Sequence, residues 1–137
     1  EGGSRPLWVH ACSVGEWAAA RPLIDGFRSR WPDLPVVVTV STVSAMEMVK
    51  ASAVPATWFP FDHPASVSGF FDRLQPRALL LIETELWPGV LYEARRRGVP
   101  AAVVNGRISD KHLPRYRRAG RLGREMFGSL SLAAVQH

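Results

Sequence analysis

Six short apolar runs recur along the chain: LWVHA (7–11), PVVVTV (35–40), ATWFPF (56–61), RALLLI (77–82), PAAVVN (100–105) and LSLAAV (130–135). Each has strand length, and each of the first five is followed by a segment with helical spacing. Ala20, Leu23, Ile24, Phe27 and Trp31 form one apolar stripe, Val67, Phe70, Phe71 and Leu74 a second, and Leu86, Val90, Leu91 and Ala94 a third. Strands that are apolar nearly throughout are buried on both faces. The alternation therefore predicts an α/β domain, a doubly wound parallel sheet with helices on each side.

Such sheets place ligands outside the carboxyl ends of their strands. The segments to watch are then Ser13 to Glu16, Ser41 to Ser44, Asp62 to Pro64, Glu83 to Pro88 and Asn105 to Ser109, which are also the most polar stretches. The sixth run reaches His137 without a helix to complete its unit, so residues 1–137 read as one domain and as the first half of something larger. The start at Glu1 rather than Met fits a processed or excised chain.

Composition narrows the class. At 137 residues the chain is long enough to bury a core without disulfides or metals, and 47% hydrophobic against 21% charged residues excludes a disordered chain. Every apolar run is too short and too punctuated for a helical membrane span or a signal peptide. Cys12 is the only cysteine, which rules out an internal disulfide and fits a reducing, cytoplasmic setting. The four histidines show no metal-ligand spacing, so no metal and no cofactor is expected. A formal charge of +5 suits a phosphate-bearing partner, an anionic membrane surface or nucleic acid, and charge alone does not choose among them.

The first strand end, HACSVGEW (10–17), allows two readings. Ser13-Val14-Gly15-Glu16 matches a capping box, in which the serine caps a helix and the glutamate reaches back to the serine amide. Pattern alone favours that reading. Gly15 points the other way, because glycine in a first helical turn weakens the helix and often marks close approach of a ligand to the backbone. A helix start also offers free amides to an anionic group, and Glu16 would hold a carboxylate at the mouth of the crevice, where it could act as a general base. His10 and Cys12 fall on the first strand and read as buried, satisfied residues.

The other strand ends divide in the same manner. TVSTVS (39–44) supplies hydroxyls, Ser41 and Thr42 among them, that cap a helix or bond a sugar; capping is the safer reading. In ETELWPG (83–89), Glu83 and Glu85 follow a strand, and either they face the crevice or Glu85 or Thr84 caps the next helix while Trp87 packs; Pro88 suits a first helical turn. VVNGRIS (103–109) brings Asn105 and Arg107, and Arg107 either binds phosphate or carboxylate or ties down Glu83 or Glu85; Ser109 reads as an N-cap. His63, beside Pro64, reads as a loop residue. RYRRAGRLGRE (115–125) is a basic helix, read first as a solvated face and second as a site for an anionic surface. It has no recognition-helix pattern and no interleaved aromatics, which argues against nucleic acid.

Taken together and in order, VHACSVGE, FPFDHP, ETELWP and VNGRIS resemble the amino-terminal domain of the Kdo transferases, over roughly residues 7 to 136. That family adds 3-deoxy-D-manno-octulosonic acid (Kdo) to the lipid A precursor in lipopolysaccharide biosynthesis. The resemblance implies the amino-terminal, Rossmann-like half of a GT-B glycosyltransferase. This half receives the lipid acceptor, and a carboxyl-terminal domain, missing from this chain, binds most of the CMP-Kdo donor. By the same resemblance Glu16 is the catalytic base, deprotonating an acceptor hydroxyl for inverting attack on the Kdo anomeric carbon without a metal. Ser13 and Gly15 then shape the catalytic turn, Glu83 and Glu85 belong to the second motif, and Asn105 and Arg107 to the third. Family members sit on the cytoplasmic face of the inner membrane through an anchor not found in this chain. Two positions depart from the family's pattern, Gly89 where Asn is common and Ala45 where Gly is common.

Two alternatives follow from the residues alone. In one, the chain is a non-catalytic α/β binding module that docks on an anionic partner through its basic helix, with Glu16 only a cap. In the other it is a complete nucleotide-binding domain, which is disfavoured because no G-x-G-x-x-G or G-x-x-x-x-G-K-[ST] motif follows the first strand.

Overall fold

The structure, a computed structural model, describes residues 3–82, 87–106 and 132–135, with backbone only for 105–106 and 132–135. In chain order the elements are β1 (Leu7–His10), α1 (Val14–Arg30), β2 (Val36–Val40), α2 (Val43–Ala51), β3 (Ala56–Trp58), α3 (Pro64–Leu74), β4 (Ala78–Ile82), α4 (Pro88–Arg96), β5 (Ala101–Gly106) and β6 (Leu132–Val135). The strands form one sheet in the order β3-β2-β1-β4-β5-β6. Every pairing is parallel, with Leu7 opposite Val36 on one side and Ala78 on the other. This is the doubly wound, Rossmann-like order: the chain starts in the middle, winds to one edge and returns to build the other half.

Because side chains alternate along a strand, each strand feeds two cores. Leu7, Val9, Val36, Val38, Val40, Leu80 and Ile82 face one side and pack against Trp17, Ala20 and Ile24 of α1 and Ala45, Met46 and Val49 of α2. Trp8, Leu79, Leu81, Ala101 and Val103 face the other side and pack against Val67, Phe70 and Phe71 of α3 and Val90, Leu91 and Ala94 of α4. The Trp8 ring lies 4.8 Å from that of Phe70 and meets Phe71 edge-on at 5.3 Å. The indole N–H is satisfied inside this core, donating to Thr39 Oγ1 at 2.8 Å.

Several element ends differ from the sequence reading, each for a local reason. β3 stops at Trp58 rather than Phe61: Phe59 N–H still donates to Val40 O at 3.0 Å, but β2 itself ends at Val40 and turns into α2, so the ladder has no further partner. The α1 stripe ends before Trp31, which is the C-cap residue and half exposed, stacked on Phe27 at 5.7 Å. Cys12 lies in the turn after β1, not on the strand. α4 begins at Pro88 with Trp87 as its N-cap, so neither Thr84 nor Glu85 holds that position. α4 is closed by Gly98 at φ 66, and the Val99 amide folds back onto Ala94 O at 2.8 Å.

Candidate active site

β1 and β4 are neighbours, yet the chain leaves them toward opposite edges of the sheet. Their carboxyl ends flank the topological switch point, where a parallel sheet opens a crevice. The turn in HACSVGEW and Ile82, after which ETELWP begins in the sequence, are thus brought to adjacent strand ends, although the sequence separates them by some seventy residues. β2 is pinned beside β1 at the same level, since Ala11 N–H donates to Thr39 O at 2.9 Å and Ser41 N–H to Cys12 O at 3.0 Å.

At the first of these ends, Ser13 occupies the N-cap of α1 with extended backbone (φ −126°, ψ 174°), as a capping serine should. Its side chain makes no cap hydrogen bond. Glu16, three residues on, does reach back, but past Ser13: its Oε2 accepts from Cys12 N–H at 2.5 Å. The reciprocal capping box is therefore not formed. The carboxylate is instead fixed against the turn that leaves β1, with only 6% of the residue exposed and Trp17 buried beside it in sequence. Gly15 is exposed, and no atom lies within 4 Å of where its Cβ would sit, so packing within the described chain does not require a glycine.

At the end of β2 the local rule is obeyed. Thr42, the N-cap of α2, accepts from Ala45 N–H through Oγ1 at 3.2 Å, while Ser41 is exposed next to it. Ala45 is fully buried in the core under α2. His63 is not merely a loop residue: it is the N-cap of α3, with Nδ1 accepting from Ala65 N–H at 3.3 Å.

His10, the last residue of β1, is buried at 1% exposure. Its Nδ1 lies 3.2 Å from Thr39 O and 3.0 Å from Thr39 Oγ1, and its ring packs on Phe59 at 3.9 Å. The carbonyl can only accept, so Nδ1 carries the hydrogen and Nε2 presents a lone pair. Nε2 has no partner among the described residues, so the imidazole is only half satisfied. Burial pushes its pKa down to about 4, against a smaller upward pull from the Thr39 backbone bond. The imidazole is accordingly neutral at pH 7.

Three further residues contribute to this end of the sheet or to its support: Thr39 and Asp62, which sequence reasoning placed in strand-end segments without a role, and Glu93, which it passed over. Thr39 joins Trp8 and His10, and its alternation with valines in β2 is the one signal that could have flagged it. Asp62 of FPFDHP reaches α4, accepting from Gly89 N–H at 3.4 Å. Glu93 on α4 is buried and bonded by Arg96 and Arg97, each at 2.6 Å; Arg97 continues to Asp72 at 2.7 Å and so ties α4 to α3. The Arg96 hydrogen bond, helped by Arg97 and opposed by burial, lowers the Glu93 pKa to about 2.

Glu83, Thr84, Glu85, Leu86, Arg107, Ser109 and the basic stretch 115–125 lie outside the described residues, and Asn105 is placed on β5 by its backbone alone. Among the described residues no three His, Cys, Asp or Glu side chains are grouped as metal ligands, and no helix is long and apolar enough to cross a membrane.

Known proteins share both the sequence and the fold. The chain is 38% identical to a 3-deoxy-D-manno-octulosonic acid transferase of Bordetella pertussis over 92% of its length and 33% identical to that of Haemophilus influenzae over 95%. It is 34% identical over 80% of its length to a probable mitochondrial 3-deoxy-D-manno-octulosonic acid transferase of Arabidopsis thaliana. It spans 30%, 31% and 25% of the Bordetella, Haemophilus and Arabidopsis proteins, respectively. In structure it resembles the TrkA-N domain of the inner membrane protein ybaL from Escherichia coli, with a TM-score of 0.60 at 10% identity over 96% of this chain and 87% of that one. That likeness speaks for the Rossmann-like fold alone. The family model for 3-deoxy-D-manno-octulosonic-acid transferase (kdotransferase) matches residues 1–137, and the chain belongs to that family.

Proposed function

We propose that this chain is the acceptor-side domain of an inverting glycosyltransferase that moves Kdo from CMP-Kdo to the lipid A precursor, with Glu16 as the general base. The observation that carries the reading is the position of the Glu16 carboxylate: at the switch point of the sheet, oriented by the Cys12 amide instead of closing a capping box with Ser13. A base must be held where an acceptor hydroxyl can meet it, and a carboxylate clamped by a backbone amide loses little freedom on binding substrate. Gly15, in the same turn, is exposed, with no atom within 4 Å of where a Cβ would sit. Ser41 and Thr42 line the next strand end, and Glu83, Glu85, Asn105 and Arg107 follow β4 or lie at the end of β5 and beyond, so all are offered as acceptor contacts. The donor would be held mainly by a further domain, and the protein would work on the anionic cytoplasmic surface of the inner membrane. The domain alone would then be inactive, because transfer needs both substrates in one cleft.

The test is Glu16→Gln in the full-length protein, assayed for Kdo transfer to the lipid A precursor. Loss of a general base lowers kcat by about 100- to 10,000-fold. Near-normal turnover would remove Glu16 from that role, and a Glu16→Ala protein that transfers normally but melts earlier would leave it a helix-end residue.

A further inference from the structure

We propose that Asp62 is a positioning residue for the acceptor side of the cleft: from the connection between β3 and α3 it holds the first turn of α4, the helix that follows β4. The functional half of this statement rests on the Kdo transferase reading; the structural half does not.

α4 begins without a cap of its own. Trp87, at its N-cap position, has an indole that cannot accept a hydrogen bond from the helix amides, and Pro88 has no N–H. The first amide the helix offers is that of Gly89, and Asp62 Oδ2 accepts from it at 3.4 Å across a separation of 27 residues. A carboxylate placed there also faces the positive end of the helix dipole.

Gly89 is what makes room for it. A Cβ on Gly89 would lie 2.3 Å from Asp62 Oδ1 and 3.1 Å from its Cγ, so a side chain at this position requires the carboxylate to move from where it sits. A second contact joins the same two segments, since the Phe59 ring packs on that of Trp87 at 5.2 Å and on that of His10 at 3.9 Å. Asp62 is itself braced, because His63 N–H donates to Phe61 O at 2.7 Å and His63 caps α3 directly after it. A short side chain on a braced backbone has little freedom. Asp62 thus fixes the start of the helix that follows β4.

The experiment uses the full-length enzyme with CMP-Kdo and the lipid A precursor. Asp62→Ala is expected to raise the acceptor KM about tenfold while the donor KM stays within about twofold. Asp62→Asn, whose amide oxygen still accepts, should recover most of the loss, and Gly89→Ala, which displaces Asp62 without removing it, should reproduce it. An acceptor KM within about twofold of wild type in Asp62→Ala, an equal change in both KM values, or Asn behaving like Ala would each overturn the positioning role. Amide exchange read at Gly89 separates the two halves: faster exchange in Asp62→Ala than in wild type supports the tether, and unchanged exchange refutes it. A wild-type protein that transfers no Kdo, with the exchange difference intact, would defeat the transferase reading and leave the tether standing.

Discussion

The turn after β1 and the turn after β2 begin alike and end differently. Each places a hydroxyl residue in extended backbone ahead of a helix, Ser13 at φ −126° and Thr42 at φ −123°, and the two lie side by side through the Ser41 to Cys12 backbone bond. Thr42 caps α2 as the local rule asks, over a buried Ala45. Ser13 does not cap α1, Gly15 stands where Ala would favour the helix, and Glu16 reaches past the cap to the Cys12 amide. Local preferences tend to be violated where something other than stability has set the residues. The second turn follows the helix-capping rule, and the first departs from it.

The strongest way to break this comparison is the Glu16→Gln enzyme described above, whose activity should fall by orders of magnitude. Acid is the next probe. His10, whose pKa is lowered from 6.5 to about 4, binds a proton more readily in the unfolded chain, so stability should be full above pH 6.5 and fall as pH drops toward 4. The loss is on the order of a few kcal/mol, and His10→Gln should flatten the Tm profile over that window. Glu93, lowered to about 2, acts at more acid pH: its contribution is present above pH 4.5 and lost as pH falls toward 2. A profile that stays flat from pH 6.5 to 4 in the wild type would show that the His10 imidazole is not buried beside Thr39.

Caps come next in size. Thr42→Ala should cost about 1 kcal/mol in denaturant unfolding, whereas Ser13→Ala should stay within about 0.5 kcal/mol because no cap bond is lost. Equal costs would erase the distinction between the turns. A change of similar size and opposite sign is expected at the glycine: Gly15→Ala should stabilise the domain by about 0.4–1 kcal/mol, since no atom obstructs the new Cβ, and should slow acceptor turnover if the backbone is approached there. Ala45→Gly, in the buried counterpart, should destabilise by about 1 kcal/mol.

Most of the architecture was legible from the chain. The apolar runs marked all six strands and the helical stripes placed α1, α3 and α4, because burial on both faces and burial on one face leave different periods in a sequence. Errors gathered at the ends: β3 stops at Trp58, Trp31 leaves the stripe, and α4 is entered through Trp87. Ends are decided by which amides still find a partner, and periodicity does not report that. The candidate site was legible as a set of strand-end segments but not as an arrangement. The capping pattern of Ser13 and Glu16 was visible, and spacing alone favoured a reciprocal box that does not form.

By itself, then, the sequence determined an α/β layering, the polar segments that follow each strand, and membership of a family through four motifs in order. Tertiary structure decided the rest. Strand order depends on pairings between residues far apart in the chain, so only the folded sheet places HACSVGEW beside the end of β4 and opens a switch point there. The same holds for single atoms. Glu16 turns to the Cys12 amide, Thr39 links Trp8 and His10, and Asp62 fills the space that Gly89 leaves, because each partner is supplied by the packing of segments that the linear chain keeps apart or by a backbone geometry that its pattern does not encode.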